Sequence, residues 1–214
     1  MFQNHKKLNI ELLELRITVS VKNAHFFKSF SLNVIEFVLW YNQVMIELLI
    51  LFELNRQVLT MYGISKAIRA TFSVLTTPSY GTIKPALTRL ENSGFIKSRK
   101  TMSEGGRPSC YYSITKDGVV ELKRLIMAPP LENPIQFFTN ARVKLACADC
   151  LDSKEQAQML RQLKLKAETI LFDTQNIMKE KELSFYPKMV FDNLTCEYKN
   201  FISLLEGFEH ACTN

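Results

Sequence analysis

The sequence predicts a mainly α fold with a small β-hairpin, and three observations carry that prediction. Apolar residues recur at helical spacing in segment after segment. Two short runs, Phe95–Lys100 and Cys110–Thr115, are rich in β-branched and aromatic residues. They flank Glu104-Gly105-Gly106-Arg107-Pro108, whose residues are strong turn formers. Finally, Pro129, Pro130 and Pro134 interrupt the chain, and everything beyond them has a helical pattern.

Composition bounds the class. The 214 residues are 47% hydrophobic and 22% charged, which suits an ordinary globular protein of one or two domains. The net charge of +6 is unevenly placed. Residues 45–128 hold twelve Lys/Arg and six Asp/Glu, whereas residues 129–214 hold ten and twelve. A polyanionic partner is therefore expected for the first of these segments only. The five cysteines, Cys110, Cys147, Cys150, Cys196 and Cys212, follow no secretory pattern, so a reduced, cytoplasmic and nucleoid-associated protein is expected. Cys147-x-x-Cys150 stands without a second pair or a neighbouring histidine and reads as core thiols on a helix; no metal or cofactor is expected. The apolar run Ser31–Leu54 is broken by Glu36, Glu47 and Glu53. Each would cost roughly 2.5–3.5 kcal/mol near a bilayer centre. The charge-free piece Phe37–Ile46 is too short to span, so a buried helix is expected.

Taken in order, Asn9–Leu15 has a helical pattern and Ile17–Val21 alternates like a strand. Leu32–Tyr41 is an apolar helix or strand holding the single tryptophan, Trp40. A helix is expected from Met45 to Gln57, and a second from Tyr62 to Phe72 with Ile64, Ala67 and Ile68 inward. Thr76–Ser79 is a turn. In the third helix Ile83, Ala86, Leu87 and Leu90 share one side; Lys84, Thr88 and Asn92 share the other, with Arg89 at the edge. Pro85 belongs in a first turn, where no N–H is needed, so regular helix is expected from Gly81 or Thr82. Gly94 stops the helix. After the hairpin, Thr115 is the expected N-cap of a fourth helix reaching Met127, with Val119, Leu122 and Ile126 inward.

Beyond the prolines, Ile135–Leu151 is expected as one helix and Asp152-Ser153 as the cap of the next, which runs to about Leu183. In it Leu160, Leu163, Ala167, Ile170, Thr174 and Ile177 recur at alternating three and four, a coiled-coil-like seam. Pro187 opens a last helix with a second stripe, Val190, Leu194, Tyr198, Phe201, Leu205 and Phe208. Two such helices carry more apolar surface than they can bury on each other, which points to a homodimer.

A helix pair, a third helix and a hairpin with a basic turn constitute a winged helix-turn-helix, a module that reads DNA. The residues also match a family. Met45–Leu51, Tyr62-Gly63-Ile64, Ser79–Leu90, Glu91–Gly94, Gly105–Pro108 and Tyr111–Gly118 together resemble the PadR-like transcriptional regulators. The resemblance covers residues 45–128 closely. It implies a winged helix-turn-helix DNA-binding domain over 45–128 and a helical dimerisation domain over 129–214. Family members usually begin near the position of Met45, so residues 1–44 are either an extension or an upstream stretch added by the choice of start codon. Where the family usually has a tyrosine before the proline of the third helix, this chain has Lys84, which suits a phosphate contact.

The resemblance further implies a repressor that binds an inverted-repeat operator as a homodimer, often controls its own gene, and senses a small molecule. Two recognition helices related by a two-fold axis would enter successive major grooves. Thr88, Asn92 and Arg89 are the candidates for groove contacts, and Ser79, Tyr80, Thr82 and Lys84 for the phosphate backbone. Lys97, Arg99, Lys100 and Arg107 are the basic set of the wing, with Arg107 at its tip aimed at a minor groove. Leu160, Leu163, Ala167, Ile170, Ile177, Val190, Leu194, Phe201 and Leu205 are the candidates for dimerisation. The alternative is a winged helix used as a protein-interaction module with no affinity for DNA. An enzyme is not expected: the sequence has no Gly-rich phosphate loop, GxSxG or HExxH, and His5, His25 and His210 are isolated.

Overall fold

A computed structural model describes residues 43–102 and 108–213, the last with side chains to residue 210. The chain divides into two units, Met1–Val44 and Met45–Asn214, and nearly all described residues belong to the second. The expectations for Asn9–Leu15, Ile17–Val21, Leu32–Tyr41 and the tip residue Arg107 lie outside the described residues.

The first described helix, α1 (residues 43–56), is mostly apolar and is buried without a break from Leu48 to Leu54. Leu49, Ile50 and Leu51 are fully enclosed, and Phe52 meets Phe72 edge to face at 5.6 Å. Strand β1 (Leu59–Thr60) follows. Two residues are too few to show an alternating pattern, so this strand has no signature in the sequence. Thr60 then caps α2 (Met61–Phe72), its hydroxyl accepting the Gly63 N–H at 3.1 Å. Ile64, Ser65, Ile68 and Phe72 form the inner face of α2.

Helix α3 (Tyr80–Asn92) buries Ile83, Ala86, Leu87 and Leu90. It starts at Tyr80, so Pro85 lies in the second turn rather than the first. The hydrogen bond that proline removes falls on Gly81, which is exposed, so water replaces it at little cost. Gly94 adopts φ 75°, the only positive φ among the described residues. The Phe95 N–H reaches back to Leu90 O at 2.9 Å, the six-to-one closure of a helix that ends on a left-handed residue.

Strands β2 (Ile96–Met102) and β3 (Pro108–Ile114) pair antiparallel from Ile96 opposite Ile114 to Met102 opposite Pro108. Strand β1 pairs with the other side of β3, giving the order β1-β3-β2. The hairpin of the sequence is thus a three-stranded sheet with β3 central. Tyr111 and Tyr112 are both half-buried on this central strand, which has a neighbour on each side.

Thr115 joins the sheet to α4 (Lys116–Met127). Its hydroxyl donates to Gly94 O at 2.7 Å and accepts the Gly118 N–H at 3.0 Å, while its own N–H donates to Phe95 O at 2.9 Å. Gly118 has no room for a side chain: a Cβ there would stand 2.0 Å from Phe95 O. Helix α4 buries Leu122, Leu125 and Ile126, with Val119 half-buried, and ends at extended Ala128 before the prolines.

Asn133 caps α5 (Pro134–Ala146). That helix was expected to reach Leu151; it stops at Cys147, and a 3-10 turn (Ala148–Cys150) follows. The Gln156 side-chain amide donates to Ala148 O and Leu151 O at 3.1 and 3.2 Å, tying this turn to the start of the next helix. Cys147 is fully buried there and Cys150 half-buried. Asp152 and Glu155 form a reciprocal capping box for α6 (Ser153–Glu180). Helix α7 (Phe185–Thr213) returns antiparallel to it, with Lys164 2.8 Å from Glu206 near one end and Met178 beside Thr195 near the other. Phe137 and Phe138 of α5 stack among Tyr198 and Phe201 of α7.

The junction of α4 and α5 holds a buried cation. Lys144 is 2% exposed and donates to Ala128 O, at the carbonyl end of α4. Burial pulls its ammonium down to about 8.

Two outcomes follow for stability. Gly118→Ala must displace backbone rather than a flexible side chain, and we expect a loss of about 2–3 kcal/mol in urea unfolding. An unfolded lysine titrates near 10.4, so from about pH 8 upward the unfolded chain holds a proton that the folded one has lost. Stability therefore gains about 3 kcal/mol from Lys144 as pH rises across that window, and Lys144→Met abolishes that part of the rise. Parallel pH profiles of the two proteins measure it.

Candidate nucleic-acid interface

The side of α3 away from the core presents Thr82, Lys84, Thr88 and Asn92, all exposed, and Ser79 and Tyr80 are exposed at its start. The apolar face decides this: with Ile83, Ala86, Leu87 and Leu90 inward, residues offset by one or two positions must point out. Helices α2, α4, α5 and α6 each have a side chain accepting a first-turn N–H. At α3 the preceding residue, Ser79, makes no such bond. Its hydroxyl lies 3.4 Å from that of Thr82, which in turn donates to Ser79 O at 2.8 Å. The first N–H groups of α3, at the positive end of its dipole, therefore face solvent. Thr88 donates to Lys84 O at 3.2 Å, leaving its oxygen lone pairs outward as acceptors.

Arg89 is placed differently. Its Nε donates to Glu47 Oε1 of α1 at 2.7 Å, with the arginine partly exposed and the glutamate mostly covered. The sequence positions it at the edge of the outer face, and the structure turns it back onto α1. Glu91, at the other end of α3, accepts from the Ser98 hydroxyl of β2. Two carboxylates thus fasten α3, one to the helix behind it and one to the sheet beside it.

The bond to Ser98 identifies which face of β2 lies towards α3. Lys100 shares that face, two residues on, and Lys97 and Arg99 take the opposite one. All three are exposed, and β2 is exposed along its whole length after Ile96. No carboxylate among the described residues pairs with Lys84, Lys97, Arg99 or Lys100. By contrast, Lys123, Lys164 and Lys166 outside this surface are each within 2.8 Å of a glutamate. Behind the wing, Tyr112 is pushed up to about 12, first by burial and then by the Cys110 thiol and the Glu91 charge, so its phenol stays neutral.

The dimerisation candidates separate into two sets. Leu160, Leu163, Ala167, Ile170, Phe201 and Leu205 are buried within one chain, where α6 packs along α7. Ile177 and Val190 are exposed, and Leu194 is half-buried. Exposed apolar residues that the periodicity did not single out join them: Leu165, Phe172, Phe185, Tyr186, Met189 and Leu204. A single stripe per helix was the signal in the sequence, and it marked the face that the two helices use on each other.

Among the described residues, no three His, Cys, Asp or Glu side chains are grouped to hold a metal ion, and no helix is long and apolar enough to cross a membrane.

Residues 50–124, from α1 to α4, match the family model described as the transcriptional regulator PadR-like family. No curated protein matches the chain. Among solved structures, the chain is 31% identical to a PadR family transcription regulator from Clostridium difficile, over 36% of this chain and 79% of that one, with a TM-score of 0.33. It is 22% identical to Bacillus subtilis PadR in complex with operator DNA, over 78% and 98% of the two chains, with a TM-score of 0.39. It is 21% identical to the same protein in complex with p-coumaric acid, over 80% and 97%, with a TM-score of 0.36. The match over 50–124 spans the capped helices, the sheet and the exposed face of α3, and with the identity to the Clostridium difficile regulator it shows that the chain belongs to the PadR-like family of transcriptional regulators.

Proposed function

We propose that this protein is a sequence-specific transcriptional repressor that binds an inverted-repeat operator as a homodimer and lets go when a small molecule binds. In this reading residues 45–128 are the DNA-binding domain and 129–214 the dimerisation domain. The observation that carries it is the exposed outer face of α3 beside the exposed edge strand β2, whose Lys100 lies on the face turned towards α3 and whose Lys97 and Arg99 lie on the other. An uncapped helix start, hydroxyls, Asn92 and Lys84 stand on α3, and Lys97, Arg99 and Lys100 are exposed along β2. Phosphate oxygens need donors and positive charge, and base edges need short polar side chains that reach into a groove. This surface offers both.

The parts have distinct roles. The free N–H groups of Tyr80 and Gly81, with Lys84, hold the backbone at the groove edge. Thr88 and Asn92 read bases. Lys97, Arg99 and Lys100 hold the neighbouring backbone, and Arg107 reaches the minor groove. Arg89, tied to Glu47, sets how α3 leans on α1. The exposed apolar residues of α6 and α7 receive a second copy, which places two α3 helices a fixed distance apart. Family membership supports the DNA-binding part. Release by a small molecule is what the Bacillus subtilis complexes with operator DNA and with p-coumaric acid suggest by example.

Gel shifts against the DNA upstream of the protein's own gene, repeated over a salt series, test the reading. Lys84→Ala should weaken binding and lower the slope of log affinity against log salt by about one, the share of a single phosphate contact. An unchanged slope removes Lys84 from the interface, and no binding to any duplex at low salt makes the winged helix a protein-interaction module instead. Placing a charge on the α7 face by Val190→Glu, together with Phe172→Glu on α6, should shift the protein to monomer in sedimentation equilibrium. It should also lower operator affinity by roughly 100-fold through loss of bivalency.

A further inference from the structure

The chain leaves α5 at Cys147 and makes one 3-10 turn, in which the Cys150 N–H donates to Cys147 O at 3.1 Å. A turn closed in this way holds its first and fourth Cα atoms within about 7 Å, and residues three apart in a 3-10 turn lie on the same side. Those are the conditions a disulfide needs. Both cysteines are free thiols, and their surroundings differ. Cys147 is fully buried, and its thiol is pushed up by burial first, then by Cys150 and the Glu53 charge. Cys150 is half-buried and accepts an N–H from the Asn55 side chain of α1 at 3.7 Å. Burial raises its thiol too, but Asn55, Arg56 and Lys123 pull the other way.

A third group stands beside the pair. Glu53 of α1 is 1% exposed, and its Oε1 makes no hydrogen bond. A buried polar atom without a partner is costly, and a proton-transfer role is one of the few reasons to keep it. Burial pushes this carboxyl up against the opposing effects of Thr71 and Arg56, which brings its proton affinity towards that of a thiol. The three side chains do not converge as metal ligands.

We propose that Cys147 and Cys150 are a reversible dithiol–disulfide couple, oxidised by low-molecular-weight disulfides, in which Glu53 takes the proton of Cys147 and whose oxidation loosens the winged helix from the C-terminal helices. Cys150 reacts first, being the more exposed thiol and the one with cations beside it. Its thiolate attacks one sulfur of the small disulfide; that S–S bond breaks, a mixed disulfide forms on Cys150 and one thiolate leaves. Cys147 gives its proton to Glu53 Oε1, attacks the Cys150 sulfur and expels the second thiolate. The two leaving thiolates take up the two protons that the cysteines lost. One dithiol and one small disulfide thus become one protein disulfide and two small thiols. The turn touches α1 and α4 and leads into α6, so it stands at the joint of the two halves. Bonded to buried Cys147, the Cys150 sulfur turns inward and gives up Asn55. The effect on an operator rests on the reading given under Proposed function; the couple itself does not.

The test is oxidation of the full-length protein with glutathione disulfide, with free thiols then blocked and tryptic peptides weighed. Residues 145–154 leave as one peptide that holds both cysteines. We expect it to lose both thiol hydrogens, and excess reduced glutathione to restore them. Cys147→Ser should stop at a glutathione adduct on Cys150, and Cys150→Ser should leave Cys147 unmodified. Glu53→Gln should slow closure from the adduct at least about tenfold without changing how fast the adduct forms, whereas a merely structural role would move both rates. A native peptide that stays reduced, or that carries glutathione without closing, overturns the couple. Closure of Glu53→Gln at the parent rate overturns the role of Glu53. Gel shifts then compare the oxidised and reduced proteins, and we expect operator affinity to fall at least about fivefold on oxidation. Equal affinity overturns the switch and leaves the couple standing. Failure of both forms to bind any duplex overturns the regulator and not the couple.

Discussion

Everything that could touch DNA is held in register by the carbonyl oxygen of Phe95. It accepts the Thr115 N–H, and it leaves Gly118 no space for even a methyl group. Three elements meet within that small volume: the end of α3, the start of β2 and the first turn of α4. The left-handed turn at Gly94 delivers the chain to it, and the Thr115 hydroxyl ties the turn to α4 while capping that helix. Because these contacts are backbone to backbone or to short side chains, they fix distances with little slack. The lean of the third helix against the sheet follows from them, and so does the side of the wing that Lys100 occupies.

The parts of this arrangement that were legible in the sequence are those whose chemistry is local. A helix face at 3.6-residue spacing, a glycine that ends a helix, a threonine that caps one and a turn rich in Gly and Pro need no distant partner to be recognised. What escaped was set by tertiary contact. Strand β1 exists only because β3 is beside it. The 3-10 turn after Cys147 is held by a glutamine from the next helix, which reaches back to Ala148 O and Leu151 O. Arg89 stood at the edge of the outer face, and only the fold brings Glu47 within reach, 42 residues earlier in the chain. Most residues in the apolar stripes of α6 and α7 are buried within one chain, and sequence periodicity does not say whose helix fills a stripe.

The charge distribution divides the molecule along the same line as the folding elements. On the α3–β2 surface the cations stand unpaired, their field undiminished by neighbours. In the C-terminal helices the lysines at positions 164 and 166 are paired with glutamates. One end of the chain is thus suited to a polyanion and the other to neutral or cationic surfaces, which keeps the C-terminal helices from competing for the duplex.

The cations of β2 have one more effect. Order β1-β3-β2 makes β2 a sheet edge, with a row of backbone N–H and C=O groups open on its outer side. Such an edge is a template on which another extended chain can add itself, and runs of lysine and arginine discourage it by mutual repulsion. Lys97, Arg99 and Lys100 therefore guard the unliganded protein against aggregation. Stripping the wing of its charge would leave a protein that is harder to keep in solution, before any question of operators arises.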